Sequence, residues 1–138
     1  MKKVTTLAVL SLVALVFVHA ALAQDVALKA DVPFRFHVGN TAMPAGAYTV
    51  TEVYRGLIRI SNDDRNIATT VATTHDFNDP GSSSKFVFEK IGDQYFLHRV
   101  DCPAVVSMNV DIPTWGAEKR ARREAKVERG EEILVAAR

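Results

Sequence analysis

The chain has 138 residues, with 17 Lys and Arg against 16 Asp and Glu for a formal charge of +1. That length provides one hydrophobic core in one folded unit. The near balance of charge excludes the general attraction to nucleic acid that a basic domain exerts. A lone cysteine, Cys102, excludes an internal disulfide.

Residues 1–23 read as a cleavable secretory signal peptide. Met1-Lys2-Lys3 is a short positive start, Val4 to Val18 carries no charge and is mostly Leu, Val and Ala, and Ala21-Leu22-Ala23 fits a small-x-small cleavage site before Gln24. The apolar run is shorter than the roughly 20 residues a spanning helix needs, and no basic stop-transfer cluster follows it. The expected product is a secreted or periplasmic domain of residues 24–138, not an integral membrane protein. Without Lys2 and Lys3 the 17 basic residues become 15 against 16 acidic ones, a charge of −1. In an oxidising compartment a single thiol is either buried or paired with another chain; burial is expected for Cys102.

From Val26 to Val38 every even position is apolar (Val26, Leu28, Ala30, Val32, Phe34, Phe36, Val38), while Lys29, Asp31, Arg35 and His37 stand at odd ones. This period of two predicts a long strand with one buried face, and Pro33 on its polar side predicts an edge or a bulge there. Gly39-Asn40 ends the strand and Met43-Pro44-Ala45-Gly46 turns into the next, Ala47 to Tyr54, with Tyr48 and Val50 on one face. Arg55-Gly56 breaks the run before Leu57 to Ile60. Asn62 to Asn66 is a polar turn, and Ile67 to Thr74 is a β-branched strand.

His75 to Ser84 reads as a surface loop. Lys85 to Lys90 and Gln94 to Val100 form a hairpin around Gly92, with His98 sharing a face with Phe96 and Val100. Val106, Met108, Val110 and Ile112 alternate in a further strand. About seven short strands at this spacing predict an antiparallel β-sandwich or partly closed β-barrel. Ala117 to Arg129, rich in Ala, Glu, Lys and Arg, predicts one helix with Gly130 as its C-terminal cap. Ile133 to Ala137 then gives a short final strand.

The chemistry on offer is thin. Asp76-x-Asn78-x-Pro80-Gly81 suggests a calcium loop, but Pro80 and Val87 stand where an oxygen ligand and a bidentate Glu are needed, so a solvated loop is expected. His37, His75 and His98 have no compact metal-ligand spacing. His98 and Cys102 lack a third orienting group, and Ser82-Ser83-Ser84 lacks a strand–elbow–helix setting. No cofactor, metal site or catalytic residue is expected. The basic run offers Arg120, Arg122, Arg123 and Lys126 as an interaction surface, although Glu118–Arg122 and Arg120–Glu124 at i,i+4 also suit a solvated helix. Ala117, Ala121 and Ala125 form a small-residue stripe that would let the helix lie close on a sheet. Trp115, at the sheet-to-helix junction, closes the core or lines a cleft.

The residues Val32-Pro33-Phe34-Arg35-Phe36-His37-Val38-Gly39-Asn40, followed by Pro44-Ala45-Gly46-Ala47-Tyr48-Thr49-Val50, resemble the "VPF-x-F-x-VGN…PAG-x-Y-x-V" opening of a group of small secreted bacterial proteins. Lys85 to Phe88 with Gly92 to Leu97 is similar to that group's central hairpin, and the helix before a short apolar ending is similar too. The resemblance implies export and a β-domain and transfers no catalytic residue. The leading expectation is a non-enzymatic extracytoplasmic binding or structural module, partnered by another envelope protein. The alternative is a small carrier of an apolar, lipid-like ligand, held near Trp115, Phe34, Phe36, Phe86 and Phe88.

Overall fold

The computed structural model describes residues 27–75, 83–104 and 109–138. The proposed leader, the calcium-like loop from Asp76 to Ser82, and Val106 and Met108 lie outside the described residues.

The protein is mainly β, and its strands form a curled, partly closed barrel. The first sheet is antiparallel in the order β1 (Ala27–Val32), β4 (Gly46–Tyr54), β5 (Leu57–Asn62), β6 (Ile67–Ala72). The second runs β11 (Glu131–Ala136), β8 (Lys85–Ile91), β9 (Gln94–Asp101), β10 (Val110–Asp111), β7 (Thr74–His75). Beside β9 lies β2 (Phe36–Val38), parallel to it at His37–Phe96, and β3 (Thr41–Met43) folds back onto β2.

The single long strand expected from Val26 to Val38 is therefore two. Its even positions from Leu28 to Val38 do point inward, but β1 ends at Val32 and β2 joins the other sheet. Pro33 supplies no N–H to continue a ladder, so the chain changes partners there rather than bulging. Similar breaks at Gly39-Asn40 and Thr73 raise the number of strands above the seven expected.

Two seams join the sheets. Ala30 pairs with Ala137, and Lys29 and Arg138 exchange backbone hydrogen bonds of 2.8 and 2.9 Å. On the opposite side only Thr73 separates β6 from β7, so one stretch of chain passes from the end of one sheet to the end of the other.

Inside, Phe36 meets Tyr48 and Phe88 edge-on at 5.0 and 5.2 Å, and Phe34 stacks on Tyr95 at 4.1 Å while touching Phe88 edge-on. Val32, Phe36, Met43, Val50, Ile60, Phe86, Phe88 and Val100 are fully shielded from solvent. Each such side chain contributes about 1.5–3 kcal/mol by leaving water, with offset and edge-on rings adding to that. Cys102 is buried, as expected, and its N–H donates to Asn109 Oδ1 at 2.7 Å.

The helix, α1 (Gly116–Ala125), lies across the outside of the second sheet on its alanine stripe. Ala117, Ala121 and Ala125 pack on Ile91 and Phe96, whose side chains leave the sheet on the face opposite the core. Small residues bring the helix backbone close enough to cover both. At its start no side chain of Trp115 caps the helix; Asn40 Oδ1 accepts from Ala117 N–H at 3.0 Å instead. The helix stops four residues short of the Arg129 expected. Lys126 takes the left-handed conformation (φ 55°), its N–H reaches Arg123 O, and Val127 N–H reaches Arg122 O. That is a Schellman ending, built on Lys126 rather than Gly130.

Gly130 has a different task. A Cβ there would stand 2.1 Å from Lys90 O, so only glycine lets the returning chain pass this close to β8. No helix among the described residues is long and apolar enough to cross a membrane.

Candidate functional site

The densest polar chemistry on the described surface lies in the seam between α1 and the second sheet. It begins with a register fault. In the β8–β9 ladder Phe88 pairs with Leu97 and Val87 with Arg99, so His98 is an extra residue with no partner on β8. A bulge of this kind bends a strand and re-aims a side chain. His98 is turned toward the helix on the side of Phe96, while Val100 faces the core with Leu97. The expectation that Phe96, His98 and Val100 share one face is corrected here: simple alternation counts through the bulge as if it were absent. The fault is pinned from the other side by Ile112 N–H, which donates to His98 O at 2.7 Å.

Around His98 stand Glu89 from β8 and Glu118 and Arg122 from α1. His98 Nδ1 is 3.3 Å from Glu89 Oε2. Its Nε2 is 2.9 Å from Glu118 Oε1, off the line that a hydrogen bond needs, so the contact is electrostatic. Arg122 forks between the two acids. It donates through Nη1 and Nη2 to Glu89 at 2.9 and 2.8 Å, and through Nε and Nη2 to Glu118 Oε1 at 3.1 and 2.6 Å. Its Nη1 also reaches the carbonyl of Glu128, and Gly130 N–H donates to Glu89 Oε1. One guanidinium thus ties together a sheet strand, a helix turn and the chain leaving the helix.

Burial pushes both carboxyls toward the neutral form, yet both pKa values fall below the ordinary Glu value. For Glu89 the Arg122 guanidinium, the Gly130 N–H and the His98 ring outweigh burial. For Glu118 His98 and Arg122 do so. Arg122 is in turn held more firmly protonated, chiefly by its hydrogen bonds to Glu89. Such shifts mark functional sites and structural ion-pair networks alike, and the connections decide between them. Arg122 donates to both carboxylates, and each carboxylate also faces one nitrogen of His98.

As metal ligands, Glu89, His98 and Glu118 each offer one atom within 4.8 Å of the others. The donor types suit a divalent cation, but the Arg122 guanidinium holds both carboxylates and each His98 nitrogen faces a different one. A cation would have to displace Arg122 first.

The structure disperses the residues singled out from sequence. Phe36, Phe86 and Phe88 are buried in the core and Phe34 is half-buried against Tyr95. Trp115 is exposed over Gly39, where a Cβ would lie 3.3 Å from the indole. Arg120 and Arg123 are exposed on α1 and Lys126 just beyond its end, whereas Arg122 leaves that set for the seam. Among the described residues, open surface hollows include ones of about 540 and 490 Å3. The larger is lined by Lys29, Asp31, Asp63 and Arg138 beside β1, the smaller by His37, Gln94, Arg120 and Glu124 at the helix start. Neither includes Glu89, His98 or Glu118.

Only half of the quartet was legible in sequence. The Glu118–Arg122 spacing predicts an i,i+4 pair, and it forms. Glu89 looks like any outward strand residue, and His98 becomes a partner only through a bulge that no turn residue announces. No family model matches this chain, and neither a curated protein nor a solved structure does.

Proposed function

We propose that the protein works outside the cytoplasm as a non-enzymatic binding or structural module, delivered there by removal of residues 1–23. The observation that carries this reading is how the polar seam is used: Glu89, His98, Glu118 and Arg122 are committed to one another and to the chain at Gly130, away from either surface hollow. Polar groups tied to one another across a helix and a sheet in this way hold a domain in shape. The packed aromatic interior agrees with a domain that offers its surface rather than a cavity, and the carrier alternative draws no support from it.

Native mass spectrometry of the protein purified from its own cell envelope tests this. The expected species begins at Gln24 and carries no small molecule. A retained lipid-sized adduct would overturn the module reading in favour of the carrier. An intact Met1 on the purified protein would overturn export by a cleaved leader.

A further inference from the structure

Among the described residues, one long edge of the first sheet is left open. The β1 edge is met by Ala137 and Arg138, and β4 and β5 lie inside the sheet, but β6 pairs only with β5. Thr73 N–H donates to Gly56 O at 2.9 Å, one step beyond the Leu57–Ala72 pair. Backbone groups of an antiparallel strand point alternately to one neighbour and the other. Ile67, Thr69, Val71 and Thr73 therefore direct theirs to β5, and Ala68, Thr70 and Ala72 direct theirs outward. These three residues are exposed, and their N–H and C=O groups have no backbone partner among the described residues.

Edges of this length are ordinarily blunted by a charge, a proline, a bulge or a covering segment. Ile67-Ala68-Thr69-Thr70-Val71-Ala72 contains no charge, proline or glycine, and it pairs with β5 without a register shift. A row of alternating donors and acceptors at strand spacing is matched by one kind of object, another extended strand.

We propose that β6 is a docking edge for a second copy of this chain, pairing antiparallel with its counterpart about a two-fold axis at Thr70. A two-fold contact must be self-complementary, and this edge is. Thr70 faces Thr70 of the second copy as a hydrogen-bonded pair, and Ala68 faces Ala72. No charge opposes a like charge anywhere along the strand, and threonine pairs across a ladder favourably. The first sheet grows from four strands to eight in the pair, with both open edges consumed. The pairing rests on the sheet edge alone. It supplies a partner for the module proposed above without depending on that reading.

Sedimentation equilibrium of the purified protein, together with hydrogen exchange at low and high concentration, tests the pairing. A reversible dimer is expected, with the amides of Ala68, Thr70 and Ala72 becoming protected as concentration rises. Thr70→Pro removes an N–H that β5 does not use, so the monomer's own ladder survives while the dimer dissociation constant rises at least about tenfold. Thr70→Lys sets two like charges across the axis and has the same direction of effect. A wild type that stays monomeric to about 1 mM overturns the proposal. So does a dimer whose Ala68, Thr70 and Ala72 amides exchange as in the monomer, or one that both variants form unchanged. None of these outcomes bears on export or on a bound ligand, which the mass measurement reads separately.

Discussion

The two sheets of this protein treat their outer faces in opposite ways. Ile91 and Phe96 leave the second sheet on its outer side and are buried there by the alanines of α1. The outer side of the first sheet presents Thr49, Thr51, Arg59, Ser61, Ala68 and Thr70, and no helix among the described residues covers it. Large apolar groups on both faces of a strand demand a second layer, and small polar ones do not. The covered face must then be held shut, and that is the work of the Glu89–His98–Glu118–Arg122 clasp. The open face has no such need, and its partner, where it has one, joins at the edge.

The comparison is broken most severely at Gly130. Gly130→Ala drives a methyl into Lys90 O and against Glu89 Cγ, 2.9 Å from the new carbon. The chain leaving the helix must move off β8, which also withdraws the Gly130 N–H from Glu89. A loss of about 3 kcal/mol is expected, read by chemical denaturation, with the denaturant slope unchanged. Alanine at exposed Thr70 on the open face should cost no more than about 0.5 kcal/mol in the same measurement. Equal losses at the two positions would mean that the covered face is no more tightly held than the open one.

Next in size is Arg122→Ala. It leaves two largely buried carboxylates facing each other with only His98 between them, and a loss of about 2 kcal/mol is expected. Arg122→Lys should recover little of it, because an ammonium cannot serve both acids with a planar fork. The measurement is again denaturation, with helix content followed by circular dichroism to show that α1 loosens first.

Acid should open the clasp without any mutation. Both Glu89 and Glu118 have folded-state pKa values below the ordinary one, so their stabilisation is fully present above about pH 4.3, the unfolded value. It is lost as pH falls through the lower folded values, because the unfolded chain then binds more protons. Stability should therefore decline below that pH, and the decline should be shallower in Glu118→Gln, which has no proton to take up. A variant as steep as the wild type would place the acid sensitivity elsewhere.

How much of this could be read from the chain follows from the range of the forces involved. Alternation at Leu28, Ala30 and Val32, the glycine hairpin at Gly92 and the Ala117/Ala121/Ala125 stripe are local patterns, and all three appear in the structure. The end of α1 differs from the sequence expectation because a lysine can adopt the left-handed turn when two carbonyls accept its N–H and that of the next residue, whereas sequence favours the nearest glycine. Gly130 reads in sequence as a cap, and the fold needs it for a close approach to Lys90, a contact across forty residues. The clasp was half visible for the same reason: Glu118 and Arg122 are one turn apart, while Glu89 and a bulged His98 reach them only through tertiary pairing.

The mildest test lies under the open sheet, at Tyr48. Its ring is buried against Phe36 and its hydroxyl donates to Pro44 O at 2.6 Å. Burial raises its pKa, with the Asn62 amide and then Arg65 acting in the other direction. Asn62 fits there because Gly46 has no Cβ, which would stand 2.6 Å from Asn62 Nδ2, and its Oδ1 accepts from Arg65 N–H at 3.1 Å. The hydroxyl therefore joins the turn before β4 to the turn after β5 without any net charge. Tyr48→Phe keeps the ring and removes one neutral hydrogen bond, so about 1 kcal/mol is expected. The loss should not change between pH 7 and pH 4, where neither the tyrosine nor the amide titrates. The cost of Arg122→Ala should shrink over the same interval as the carboxylates it abandons begin to take up protons. A pH-dependent Tyr48→Phe would show that the two faces are electrostatically coupled through the core, and that the clasp holds more of the barrel than the helix it touches.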